Sequence, residues 1–196
     1  MPRLRLLAHV GVLILSGSLV ATGCGGGSGS GDSGVAAGRF AEVGEDSLTT
    51  NNAVPAPTGE IVLSLTGALS RPNVGSNVQF DMATLERLGL REGVVFEPWD
   101  KIDMRFTGVD LQRLLESAGA SANAKTIHIT ALDDYQVDVS MAEIRSGTII
   151  LATRQDGAPI PLDKGGPTRI VFGAGTTSGE NPDQWIWSLA QIEIRE

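Results

Sequence analysis

The sequence has one cysteine, two histidines and one tyrosine in 196 residues. With Cys24 alone, neither an intramolecular disulfide nor a cysteine metal cluster can form. His9 and His128 are too few and too far apart to read as a metal site. Basic residues are also scarce: 15 Lys and Arg stand against 23 Asp and Glu, for a formal net charge of −8. No run of Lys or Arg follows the extreme N-terminus, so the basic patch that a nucleic-acid partner requires is missing. There is no Gly-x-Ser-x-Gly, which leaves a Ser-His-Asp hydrolase reading without support. The apolar run Leu6–Leu15 is too short for a comfortable permanent span.

What is present begins with an address. Arg3 and Arg5 precede that apolar run, and the small residues Ala21, Thr22 and Gly23 precede Cys24. This order predicts a secretory signal over residues 1–23. The placement of Cys24 resembles a bacterial lipobox, with Ala21 where leucine is usual. That resemblance implies cleavage before Cys24, lipidation of its sulfur and acylation of its new amino group. Acyl chains contribute about 0.8 kcal/mol per buried methylene, so two or more anchor stably. The expected location is the periplasmic side of the cell envelope. Loss of Arg3 and Arg5 makes the remaining chain more acidic, so it should stand off an anionic leaflet.

Residues 24–58 are expected to be a linker. Gly25–Gly34 reads GGGSGSGDSG, a flexible coil, and the following weakly patterned stretch ends in Val54-Pro55-Ala56-Pro57. A short docking segment is expected at Phe40–Val43. The folded domain is placed at residues 59–196. There, Glu60–Thr66, Val94–Phe96, Ile102–Phe106, Thr126–Ala131, Gln136–Val139, Thr148–Thr153 and Arg169–Phe172 read as strands. Trp185–Ile194 alternates and reads as a long closing strand. Asp81 caps a helix over Met82–Leu88, Gly108–Gly119 carries the clearest helical face, and Ser140 with Glu143 forms a capping box. Strands outnumber helices and do not follow a regular βαβ order, which gives an α+β class.

The stretch Leu151–Phe172, LATRQDGAPIPLDKGGPTRIVF, turns at Asp156-Gly157 and again at Gly165-Gly166-Pro167. Arg169 follows the second turn, where a fixed guanidinium could grip an anion or a polar ring edge. With FTGVDLQRLLESAG, TALDDYQVDVSMAEI and WIWSLAQIEI, these pieces in this order resemble the molybdopterin-binding domain of the sulfite oxidase family. The resemblance implies an α+β domain of layered mixed sheets with a few short helices and a pterin in a groove. Catalytic members hold molybdenum through one cysteine thiolate ahead of the helix. The corresponding region here, Val94–Trp99, has no cysteine. The chain therefore resembles a small, metal-free periplasmic branch, some members of which are pterin-binding regulators of a membrane partner in cyclic-di-GMP signalling.

That likeness implies a ligand site. Pterin is a flat ring with a donor-rich polar edge, so an aromatic face can stack on it and a carboxylate can accept from it. Trp99 is the expected stacking residue, Asp133 or Asp134 the acceptor, and Tyr135, Arg154 and Arg169 further ligand-binding candidates. Trp185 and Trp187 are read as core first and groove second, and His128 as structural. The expected reading is a non-catalytic, lipid-anchored module that binds a pterin or molybdopterin without a protein metal ligand and signals to a membrane partner. The alternative is a molybdopterin-dependent oxidoreductase subunit with atypical metal ligation and a redox partner.

Overall fold

The computed structural model describes residues 37–146 and 148–196. The expected signal segment and Cys24 lie outside the described residues.

Two sheets share one hydrophobic core. The first contains β1 (Ala41–Val43), β4 (Leu90–Glu97), β5 (Ile102–Asp110), β8 (Ile149–Gln155) and β10 (Arg169–Phe172) in the order β1-β4-β5-β8-β10, and β9 (Ala158–Pro159) pairs with β8. The second contains β2 (Ile61–Gly67), β3 (Val78–Asp81), β6 (Thr126–Ala131), β7 (Gln136–Ser140) and β11 (Leu189–Arg195) in the order β3-β2-β11-β6-β7. Only the β2–β11 pair is parallel among the described strands. Three short helices, α1 (Met82–Glu86), α2 (Leu111–Ser117) and α3 (Met141–Ile144), follow β3, β5 and β7 directly. The α+β architecture of mixed sheets with few helices is as the sequence implies.

Alternation explains the second sheet. Leu63 and Leu65, Ile127 and Ile129, and Val137 and Val139 point to the core while their neighbours face outward. Strand β8 instead buries Ile149 through Thr153 without a break, because it lies between β5 and β10 and is covered on both faces. Its link to β9 is a two-residue turn with Asp156 at φ 50° and Gly157 at φ 80°, the left-handed pair that suits a twisted hairpin.

Several local expectations shift. The linker segment 37–58 is not free of the domain. Ala41–Val43 pairs with β4, at the expected docking position, and Leu48 and Val54 are buried in the common core. The helix expected from Gly108 begins at Leu111, capped by Asp110, which accepts from the Arg113 N–H at 3.0 Å. Gly108 stays in β5 because the strands approach closely there: a Cβ on it would lie 2.2 Å from the Leu151 carbonyl oxygen. The closing strand starts only at Leu189. Before it, a 3₁₀ turn over Pro182–Gln184 and Ser188 at φ 51° break the extended run, so Trp185, Ile186 and Trp187 belong to no strand. The capping box at α3 is half formed. Ser140 Oγ accepts from the Glu143 N–H, but the Glu143 carboxylate is taken by the Ser178 N–H and hydroxyl at 2.7 and 2.6 Å.

Asp81 caps α1 as expected, with Oδ1 accepting from the Thr84 N–H at 2.7 Å. Its other oxygen accepts from the N–H groups of Thr58 and Gly59 at 2.9 Å each, tying the start of the domain to β3. Hydrogen bonding from Thr84, then from the Gly59 and Thr58 backbone, holds its carboxyl well below the usual carboxylate range. A depressed folded-state pKa stabilises the fold above the ordinary Asp value of about 3.9, and that contribution is lost as the pH falls through the folded value. Asp81→Ala should cost about 2 kcal/mol at neutral pH in urea unfolding. Asp81→Asn should flatten the loss of stability seen on acidification below about pH 4.

Candidate functional site

A groove of about 370 Å³ opens where turns from both sheets meet the segment ahead of β11. Its lining is Trp99 from the β4–β5 turn, Ala131 at the end of β6, Asp133 and Tyr135 from the β6–β7 turn, and Pro182, Asp183, Trp185 and Trp187. The volume lies near the lower end of the roughly 300–1,000 Å³ typical of small-molecule sites.

The tryptophan wall has a built foundation. Glu97 ends β4 at 1% exposure, and Arg169 begins β10 at 2%. Glu97 Oε1 accepts from Arg169 Nη2 at 2.8 Å, while Oε2 accepts from the backbone N–H groups of Trp99 and Asp100 at 2.9 and 2.6 Å. One buried carboxylate thus fixes both the guanidinium and the turn that carries Trp99. The Arg169 guanidinium carbon lies 4.6 Å from the Trp187 ring centroid and 5.2 Å from that of Phe106. Trp187 meets Trp99 edge-on at 6.3 Å. Gly165, at φ 85°, lets the chain pass beneath Trp187, since a Cβ there would lie 2.7 Å from the indole. Burial pulls the Arg169 guanidinium below its ordinary pKa, against the hydrogen bond and charge of Glu97 and the charge of Asp100.

The other walls are equally anchored. Trp185 packs edge-on to Phe172 at 5.8 Å and donates its indole N–H to the Gly179 carbonyl at 3.0 Å. Tyr135 donates its hydroxyl to the Asp183 carbonyl at 2.7 Å, joining the β6–β7 turn to the segment opposite. Asp133 Oδ1 accepts from the Tyr135 N–H at 3.2 Å, an Asx turn that shapes this corner. Buried polar atoms without a protein partner concentrate nearby: Thr168 Oγ1, Arg169 Nε, Gln184 Oε1 and Trp187 Nε1. Such groups are uncommon in native interiors, and four within twenty residues mark this corner as unusual.

The expected site residues therefore divide. Trp99, Asp133 and Tyr135 come together at the groove. Asp134 does not line it; the residue takes φ 66° at the tip of the turn, a conformation that Asp tolerates. Arg154 is elsewhere. It forms a two-pronged pair with Glu86 at 3.0 and 2.7 Å, joined by the Thr153 hydroxyl, and so pins β8 to α1. The hydrogen bond and charge of Glu86 raise its pKa. Arg169 lies behind the wall rather than in it, spent on Glu97. Trp185, Trp187, Pro182 and Asp183 were not among the expected ligand residues. Trp185 and Trp187, expected as core first and groove second, meet both expectations between them: Trp185 is buried in the common core, and both line the groove.

Residues 60–191 match the family described as oxidoreductase molybdopterin binding domain. The chain belongs to this family. Among solved structures, the sulfane dehydrogenase SoxCD from Paracoccus pantotrophus is similar at 16% identity with a TM-score of 0.55, over 68% of this chain and 37% of that one. That likeness speaks for the fold, and the chain spans well under half of the SoxCD chain. No curated protein sequence matches.

The family's cofactor carries a pterin, a dithiolene that holds the metal, and a phosphate. Its parts fit this groove unequally. Aromatic walls and a carboxylate suit a planar ring with N–H donors. The metal has no soft ligand: Cys24 is the chain's one cysteine, and no three of His, Cys, Asp and Glu converge among the described residues. The phosphate has no cation along the groove, whose charged lining residues are Asp133 and Asp183.

Proposed function

We propose that this chain is a non-catalytic binding module, an oxidoreductase-type molybdopterin-binding domain turned to capture a pterin-like planar ligand. The observation that carries the reading is the groove itself: three tryptophans, one tyrosine and two aspartates line it, and no described residue offers a thiolate to seat molybdenum. Stacking supplies affinity and Asp133 supplies an acceptor for the ring's amino edge. With the lipid anchor expected at Cys24, the domain would sit on the periplasmic side of the envelope and report ligand occupancy to a membrane partner.

The direct test is titration of the purified domain with pterin and a reduced pterin, followed by tryptophan fluorescence. Saturable quenching with a one-to-one end point supports the reading, because Trp99 and Trp187 should both sense the ring. No quenching at high micromolar ligand would remove it.

A further inference from the structure

We infer that the groove takes a neutral or cationic ring and discriminates against phosphorylated forms of the same heterocycle. This rests on the groove being a pterin site, as proposed above, and names which pterins it accepts.

Asp133 and Asp183 line the groove, and Asp134 lies beside Asp133 in the same turn. No Lys, Arg or His lines it among the described residues. Arg169, whose guanidinium packs on the lining residue Trp187, is buried and paired with Glu97, so its charge is spent inside the wall. Lys164 is half exposed, and its ammonium lies 3.9 Å from Asp100. Lys101, in the turn with Trp99, is exposed and is not a lining residue.

A phosphate entering this groove meets two aspartates with no compensating cation among the lining residues, whereas phosphate sites use Arg, Lys or clustered backbone N–H groups. An amino-substituted ring gains from the same carboxylates, and aromatic faces favour a cationic ring over an anionic one. Asp133 also spends only one oxygen on its Asx turn, so the other remains an acceptor. The discrimination therefore works against the molybdenum cofactor as well as against simple pterin phosphates.

The test compares neopterin with neopterin monophosphate by calorimetric titration of the full chain at low and high salt. The expected result is at least about tenfold weaker binding of the phosphate at low salt, with the ratio shrinking at high salt as screening sets in. Asp133→Asn/Asp183→Asn should narrow the ratio to within about threefold; asparagine can keep the Asx turn, so the fold is retained. Equal affinity for the two compounds, or tighter binding of the phosphate, would overturn the discrimination and leave the pterin site standing. Failure of both compounds to bind would instead overturn the site and the discrimination with it.

Discussion

Glu97→Ala is expected to lose about 3–5 kcal/mol of stability, the largest single effect in the domain outside its apolar core. The reason is asymmetry. Glu97 and Arg169 are each almost wholly buried, and removing one partner leaves the other charge in a low-dielectric site without compensation. The variant also leaves the Trp99 and Asp100 N–H groups without their acceptor. Replacing both residues with methionine removes both charges, and such exchanges are often neutral or stabilising. Glu97→Met/Arg169→Met should therefore recover most of the lost stability in urea unfolding. It should not recover ligand binding, because the turn that holds Trp99 would still lack its carboxylate. That split between stability and binding separates a foundation of the site from a merely structural ion pair.

Trp99→Ala is expected to have the opposite profile. Trp99 is half exposed, so its removal should shift the unfolding midpoint little. Yet it lines the groove, and stacking of a planar base on an aromatic side chain is worth about 1–3 kcal/mol. Pterin affinity should fall by roughly 5- to 150-fold. Fluorescence with the remaining two tryptophans, or calorimetry, would measure it. An unchanged affinity would remove Trp99 from the site. Loss of folding instead of binding would show that its edge contact with Trp187 matters more than its exposed face.

The fold was readable because it rests on periodicity. Alternation in Thr126–Ala131 and Gln136–Val139 marked β6 and β7, and the Asp156-Gly157 pair marked the β8–β9 turn. Caps were readable where one side chain meets its own helix, as at Asp81. They were misread where a distant segment competes, as when Ser178 takes the Glu143 carboxylate. The site followed the same division. Trp99 and Tyr135 follow from the family resemblance, and the turns between paired strands bring both to the groove. Arg154 could not be placed, since nothing local reveals that Glu86, 68 positions earlier, satisfies its guanidinium. Arg169 was recognised as a fixed cation, but its burial depends on Glu97 and Trp187, both far along the chain. The core reading of Trp185 holds, while the strand expected through Trp185–Trp187 fails where Ser188 takes a left-handed conformation.

On the proposed reading, family membership and family function come apart at one atom. The groove keeps surfaces suited to a flat ring, while the described residues offer no thiolate to hold a metal over it. Fold membership alone would not decide between the two, because unrelated chemistries share architectures.

The most direct measurement is the content of the purified full chain from cells supplied with molybdate: denature it, then assay the released small molecules for pterin fluorescence and the same sample for molybdenum. The account predicts a pterin without bound metal. Molybdenum in one-to-one proportion with the protein would contradict it.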